Sequence, residues 1–212
     1  MISLSDALPF SSGGNRDCYE NPVNPNTCIK VTKHGITKKI KKNTVWYKKF
    51  RSLESFDDNL REESGYRQKA ISSPLDSSVW DHLARWYGMV DTDLGQASET
   101  ELIRNNDDIA ETLESYLFRE GLTNEIKVAI TIFEAWLRKH HVLTKNILPH
   151  NIVLKKNGAS ISFKIIDGLG CSSFLPLPYY SKFFRKRYVE RRITLMWNRI
   201  HWDLGGRKGN WK

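Results

Sequence analysis

The side chains best suited to chemistry form one ordered set: Lys30, Asn151 and Asp167. Lys30 sits in the apolar run Thr27-Cys28-Ile29-Lys30-Val31. Asn151 follows the loop Thr144-Lys145-Asn146-Ile147-Leu148-Pro149-His150. Asp167 closes Lys164-Ile165-Ile166 and precedes Gly168. An ammonium is a phosphate partner, whereas a carboxamide and a carboxylate are hard oxygen donors of the kind Mg²⁺ prefers. Each residue alone has an ordinary structural role. Lys30 can be a strand-edge surface lysine, Asn151 can cap a turn, and Asp167-Gly168 can be a turn. What raises them above that is their order and the hairpin between the last two.

The elements that must position them are legible in part. Short strands and turns occupy residues 2–32, with Ser11-Ser12-Gly13-Gly14-Asn15 and the Asn21 to Asn26 stretch as turns, and 27–31 as a strand. Residues 33–44 read as a basic loop bent at Gly35. Residues 45–70 carry helix-compatible residues, weakened by Gly65 and broken by Ser72-Ser73-Pro74. Val79 to Leu83 reads as a helical turn and Arg85 to Val90 as a strand. Two helices follow. Asp107 or Asp108 caps the first, which presents Ile109, Leu113, Tyr116 and Leu117. Asn124 caps the second, which buries Ile126, Val128, Ala129, Ile132, Phe133 and Trp136-Leu137 and ends in cationic Arg138-Lys139-His140-His141. The two adjacent histidines do not share a helix face and read as solvated. Strands at 151–155 and 160–166 flank Asn157-Gly158, the best two-residue hairpin signal in the chain. A basic amphipathic helix at 181–202 closes the pattern, with Phe184, Tyr188, Ile193, Met196, Trp197 and Ile200 on its apolar side.

The run helix, loop, strand, Asn-Gly, strand, Asp-Gly resembles the protein-kinase catalytic loop, the hairpin after it and the metal-binding Asp-Phe-Gly segment. The resemblance implies an α+β, kinase-like bilobal fold: a small β-rich N-lobe at residues 1–104 with a basic insertion, and a truncated helical C-lobe at 105–212. It implies ATP and Mg²⁺ as cofactors, with Asn151 and Asp167 on the metal and Lys30 on the α- and β-phosphates. Ser12, Gly13 and Gly14 fall where a glycine-rich loop covers the nucleotide. Glu63 is placed as the helix partner of Lys30, with Glu62 next to it and no spacing to decide between them.

The pattern departs from an active kinase at the position of the catalytic base. Asn146 stands where an Asp accepts the substrate hydroxyl proton, and Thr144 stands where a His usually precedes it. A carboxamide is no base, and loss of a general base costs about 10²–10⁴ in rate, roughly 3–5 kcal/mol of barrier. Phosphoryl transfer rests mainly on positioning and charge neutralisation, so Asn146 and Asp167 remain the catalytic candidates of a weak kinase or a pseudokinase. Leu169 replaces the usual Phe, and no Ala-Pro-Glu segment follows.

More finely, the chain resembles the YrbL family, the PhoP regulatory network proteins. The matching residues include Ile2 to Leu4, Pro9, Gly13, Arg16, Cys18-Tyr19, Cys28 to Val31, Tyr87-Gly88, Val90 to Gly95, Asn146 to Ile152 and Asp167 to Gly170. That resemblance implies a bacterial cytoplasmic protein tied to magnesium or envelope stress.

Composition bounds the alternatives. The 212 residues carry 33 Lys and Arg against 24 Asp and Glu, a formal charge of +9, and 40% hydrophobic residues. That is too apolar for a disordered polymer, and 13 Gly with 7 Pro exclude a collagen-like fibre. Cys18, Cys28 and Cys171 are too few for a disulfide scaffold and form no CxxC zinc pair. No secretory leader and no apolar run near ~18 residues is present, so a soluble, reducing-compartment protein is expected. The positive charge is clustered. Lys33, Lys38, Lys39, Lys41, Lys42, Lys48, Lys49 and Arg51 form one group; Lys182, Arg185, Lys186, Arg187, Arg191 and Arg192 form the other. Such groups either dock an acidic protein partner or an anionic membrane surface, or simply solvate the chain. The interleaved aromatics or zinc framework of nucleic-acid modules are missing.

Overall fold

The computed structural model describes residues 1–46, 49–158, 160–172 and 175–211. Lys48, assigned above to the first basic cluster, lies outside them. The chain divides into two compact units: residues 1–64 with 85–102, and residues 65–84 with 103–212. The single cut expected at 104/105 is therefore displaced. Residues 65–84, which follow the first unit's helix in the chain, make their contacts with the later half.

The first unit is an antiparallel five-stranded sheet: β1 (Ser11–Ser12), β2 (Arg16–Glu20), β3 (Thr27–Thr32), β4 (Trp86–Thr92) and β5 (Gly95–Glu101), in the order β1-β2-β3-β5-β4. Strand alternation divides β3 between two faces. Ile29 and Val31 pack with Leu4, Tyr19 and Ala97 in an apolar cluster flanked by Ile2 and Val90. Cys28 and Lys30 project to the opposite face, and they too are buried, so β3 is covered on both sides. The sequence pattern did not reveal β5, whose Gly-Gln-Ala-Ser-Glu-Thr-Glu lacks the usual β-branched run. Tertiary pairing with β3 and β4 imposes the strand. At the β4–β5 turn, Asp93 accepts hydrogen bonds from Leu4 N at 2.7 Å, Ser3 Oγ at 2.8 Å and Ser5 N at 3.1 Å. These donors, the Leu4 amide foremost, hold its carboxyl well below the usual carboxylate range.

Two helices belong wholly or mainly to this unit. The expected loop at 33–44 is instead α1 (Ile36–Asn43), entered through Gly35 at φ +70°. It buries nothing; its lysines are good helix formers, and Lys41 and Lys42 complement its C-terminal dipole. The second helix, α2 (Asp58–Tyr66), carries the glutamates at 62 and 63. Its start is tied by Asn59 N donating to Asp57 Oδ1 at 2.8 Å.

The second unit contains α3 (Lys69–Ser72), a short hairpin of β6 (Arg104–Asn105) and β7 (Asp108–Ile109), α4 (Leu113–Glu120), α5 (Asn124–His140), the hairpin β8 (Ile152–Asn157) and β9 (Ser160–Ile165), α6 (Leu177–Tyr180) and α7 (Lys182–Leu204). Phe133, Phe163, Leu83, Leu113, Leu117, Ile126, Ile130, Leu137, Ile152 and Leu154 are among its fully buried apolar side chains. Both helix caps differ from the expected residues: α5 is capped one residue earlier than Asn124, and α4 four residues after Asp108. Thr112 caps α4 and Thr123 caps α5, each hydroxyl accepting a backbone N–H of the first turn. Asp107 and Asp108 are taken up by the β6–β7 turn, where Asn106 has φ +57°.

The buried stripe of α5 runs Ile126, Ala129, Ile130, Phe133, Trp136, Leu137 and His140. Val128 and Ile132, expected inside, are 60% and 53% exposed because they fall off that stripe. His140 was expected in solvent. It is buried, with Nε2 2.9 Å from Ser78 Oγ and its ring against Trp136. Its spacing from Trp136 and Leu137 continues the apolar face. No helix among the described residues is long and apolar enough to cross a membrane.

Candidate functional site

In the first unit the candidate site is a buried charge network. Lys30 Nζ donates to Glu62 Oε1 at 2.6 Å. Lys30 is 5% exposed and Glu62 3%. The partner is thus Glu62, correcting the placement of Glu63; one residue along a helix turns a side chain by about 100°, and only position 62 of the two is buried. Glu62 Oε2 accepts from Arg16 at 2.6 Å and from Ser98 Oγ at 3.3 Å. Arg16 also donates to Asn59 Oδ1 at 3.0 Å, and Asn59 Nδ2 donates to Lys30 O at 3.0 Å. One carboxylate therefore serves two cations, and α2 is stitched to β3 through Asn59. Such a network is stable in a dry interior only when its charges are paired.

Arg16, Asn59 and Ser98 had no assigned role from sequence. Arg16 stands in the first position of β2, next to the Gly13-Gly14-Asn15 turn, and nothing local in Arg-Asp-Cys-Tyr-Glu marks it as buried. Beside this network, interaction with Cys18 and then burial raise the Cys28 thiol well above its ordinary pKa, so it is held as a neutral thiol.

The turn of Ser12, Gly13 and Gly14 is a tight hairpin between β1 and β2, closed by Gly13 N donating to Arg16 O at 2.9 Å. It is tied by Lys33, whose Nζ donates to Gly13 O at 2.7 Å and to Ser12 Oγ at 2.8 Å. Ser12 Oγ in turn donates to Asp17 at 2.6 Å. A Cβ on Gly14 would meet nothing within 4 Å. The smallness of this glycine leaves open space rather than relieving a clash.

In the second unit, Asn146, Asn151 and Asp167 are brought together by backbone geometry. Ile166 N donates to Asn151 O at 3.0 Å, Lys145 N donates to Gly168 O at 2.6 Å, and Gly170 N donates to Leu143 O at 2.8 Å. These bonds lay the Asp167–Gly170 segment against the loop that carries Asn146 and Asn151. Gly168 has φ +86°, and a Cβ there would lie 3.0 Å from Asn146 O and 3.2 Å from Asn151 Nδ2. Only glycine combines that backbone with that closeness. Asp167 Oδ1 accepts from Gly168 N at 2.6 Å, which orients the carboxyl. Gly65, read from sequence as a weakness in a helix, has a different reason: a Cβ there would lie 2.7 Å from Leu169 Cβ.

No group of three or more His, Cys, Asp and Glu able to hold a metal exists among the described residues. The second unit offers one carboxylate and one carboxamide instead. That donor set fits Mg²⁺, which keeps several waters or phosphate oxygens and takes few protein ligands, and does not fit zinc.

A β-rich unit whose strand lysine pairs with a helix glutamate, and a helical unit whose hairpin ends in Asp-Gly, define the protein-kinase fold. The chain is similar to the solved kinase domain of Mycobacterium tuberculosis PknI, with TM-score 0.54 and 12% identity, covering 92% of this chain and 72% of that one. It is also similar to Rad53 1–466 in complex with AMP-PNP, with TM-score 0.51 and 13% identity, covering 94% of this chain and 47% of that one. Within that fold, the chain belongs to the PhoP regulatory network protein YrbL family, whose model matches residues 2–201. It is 24% identical to the YrbL proteins of Escherichia coli (strain K12) and Shigella flexneri over 209 residues, 94% of this chain and 86% of each relative.

Proposed function

We propose that this protein binds a nucleoside triphosphate with Mg²⁺ and is a weak or inactive kinase acting in a PhoP-linked envelope or magnesium stress response. The observation that carries this reading is the buried pair of Lys30 and Glu62 at 2.6 Å. A lysine sunk in a strand and oriented by a carboxylate is positioned to meet phosphate oxygens rather than bulk solvent. Asn151 and Asp167 are the residues that would hold Mg²⁺, and the ion's contribution is neutralisation of phosphate charge. Asn146 can orient a substrate hydroxyl but cannot take its proton, so turnover is slow or absent.

Thermal shift with millimolar Mg-ATP is the direct test. Wild type should gain melting temperature, and Asp167→Asn should lose the Mg²⁺-dependent part of that gain. No gain in wild type overturns the reading. If transfer occurs at all, Asn146→Asp should raise it by about 10²–10⁴ in a radiolabel assay.

A second reading is favoured by one specific observation. Leu175 (58% exposed), Tyr180 (84%) and Phe183 (62%) lie within the same 13-residue stretch as the exposed cations Lys182, Lys186 and Arg187. Apolar and cationic groups mixed in this way suit docking onto an acidic partner or an anionic membrane surface. Co-sedimentation with phosphatidylserine vesicles, lost in Lys186→Glu/Arg187→Glu, supports it; unchanged sedimentation of that variant removes it.

A further inference from the structure

Outside the kinase-like constellation, the second unit contains a hollow of about 460 Å³ whose wall includes Lys69, Lys139, His141, Tyr179, Lys182 and Arg185. We propose that this hollow is a binding site for a phosphate-bearing small molecule. Its volume is in the range of small-molecule sites, about 300–1,000 Å³. No Asp or Glu is among its described lining residues, although four fixed cations are.

How those cations are held identifies the ligand. Lys139 is already satisfied, 2.8 Å from Asp76 and 2.9 Å from Ser78 Oγ. Lys69 and Lys182 have no ion pair among the described residues. Arg185 donates from Nε to Pro178 O and from Nη2 to Tyr179 O, both at 2.8 Å. Two carbonyls fix the guanidinium plane without cancelling its charge, and leave the remaining N–H donors for another acceptor. A pre-oriented guanidinium flanked by two unpaired ammonium groups matches a phosphate, which carries close to two negative charges and three acceptor oxygens. The wall also offers Ala70, Leu75 and the Tyr179 ring for an apolar body. The concavity favours a small molecule over a flat membrane.

His141 lines the hollow and serves as an internal reporter. It ends α5 in the left-handed conformation, φ +54°. Lys139 lies on its own helix, and Lys182, Arg185 and Lys186 face it from α7, with Arg138 and Glu190 across the adjoining hollow that shares His141 and Lys182. Burial, and then the charges of Arg185, Lys182 and Lys186, hold the imidazole below its ordinary range. A bound dianion should raise it.

The test is an NMR titration of the His141 ring in the full chain, with inorganic pyrophosphate as probe and phosphatidylserine vesicles as a second arm. Pyrophosphate should raise the His141 pKa in wild type. Lys69→Gln/Lys182→Gln, two exposed side chains with no bonds to lose, should weaken that binding about tenfold or more. Arg185→Lys should weaken it while keeping charge, since the fork is lost. An unmoved His141 overturns the proposal. So does equal binding by wild type and the double variant, or a response to vesicles with none to pyrophosphate.

Discussion

The two candidate regions are built on opposite principles. Around Lys30, position is held by charged side chains in a dry interior: Arg16, Lys30 and Glu62 are each at most 7% exposed, and each depends on the others. Around Asp167, position is held largely by main-chain bonds and by Gly168, whose N–H donates to the Asp167 carboxyl at 2.6 Å. The difference teaches where function can be separated from folding. Changing a side chain in the first region alters the scaffold, whereas an isosteric change at Asp167 keeps the main-chain frame and an acceptor for Gly168 N.

Glu62→Ala is the sharpest way to break this comparison. It leaves two buried cations without their carboxylate and should cost about 3–5 kcal/mol of stability by chemical denaturation. Lys30→Met should cost clearly less, since Glu62 keeps Arg16. Equal costs for the two, or a neutral Glu62→Ala, would mean that the network does not hold the first unit. Gly168→Ala comes next, at about 1–3 kcal/mol, because the new methyl meets both a strained backbone and Asn146 O. An unperturbed melt of that variant would show that the loop relaxes freely.

A pH effect should follow in size. Burial, the leading cause in each case, holds His82 and His140 below the ordinary imidazole range. Their folded values lie below the unfolded value of about 6.5, so the unfolded chain takes up protons first as pH drops. Stability should be full above about pH 6.5 and decline as pH falls through the folded values. His140→Gln should make a melting-temperature profile flatter; a slope as steep as in wild type removes His140 as a contributor. The smallest stability effect belongs to Asp167→Asn, which keeps an acceptor for Gly168 N and should stay within about 0.5 kcal/mol of wild type. A large loss there would place Asp167 with the structural charges of the first region.

Much of this was legible in the residues. Lys30 in its apolar strand, the Asn157-Gly158 hairpin and the order Asn146, Asn151, Asp167 all pointed to the fold, because strand period and turn chemistry are local properties. The choice between Glu62 and Glu63 was not local: it depends on which face of α2 meets β3. Arg16, Asn59 and Ser98 escaped for the same reason, as their roles arise only when sequence-distant elements pack. Strand β5 was hidden because pairing on both sides overrides its weak propensity. The α5 cap lies one residue before Asn124 because Asn and Thr both serve that position, whereas the α4 cap is Thr112 because pairing of β6 with β7 takes up Asp107 and Asp108.

Gly65 and Leu169 are in such close contact that no methyl group fits between them. Their spacing works as a mechanical stop. Neither residue can move closer to the other, and any side chain at position 65 would have to push Leu169, and with it the turn that follows Asp167, aside.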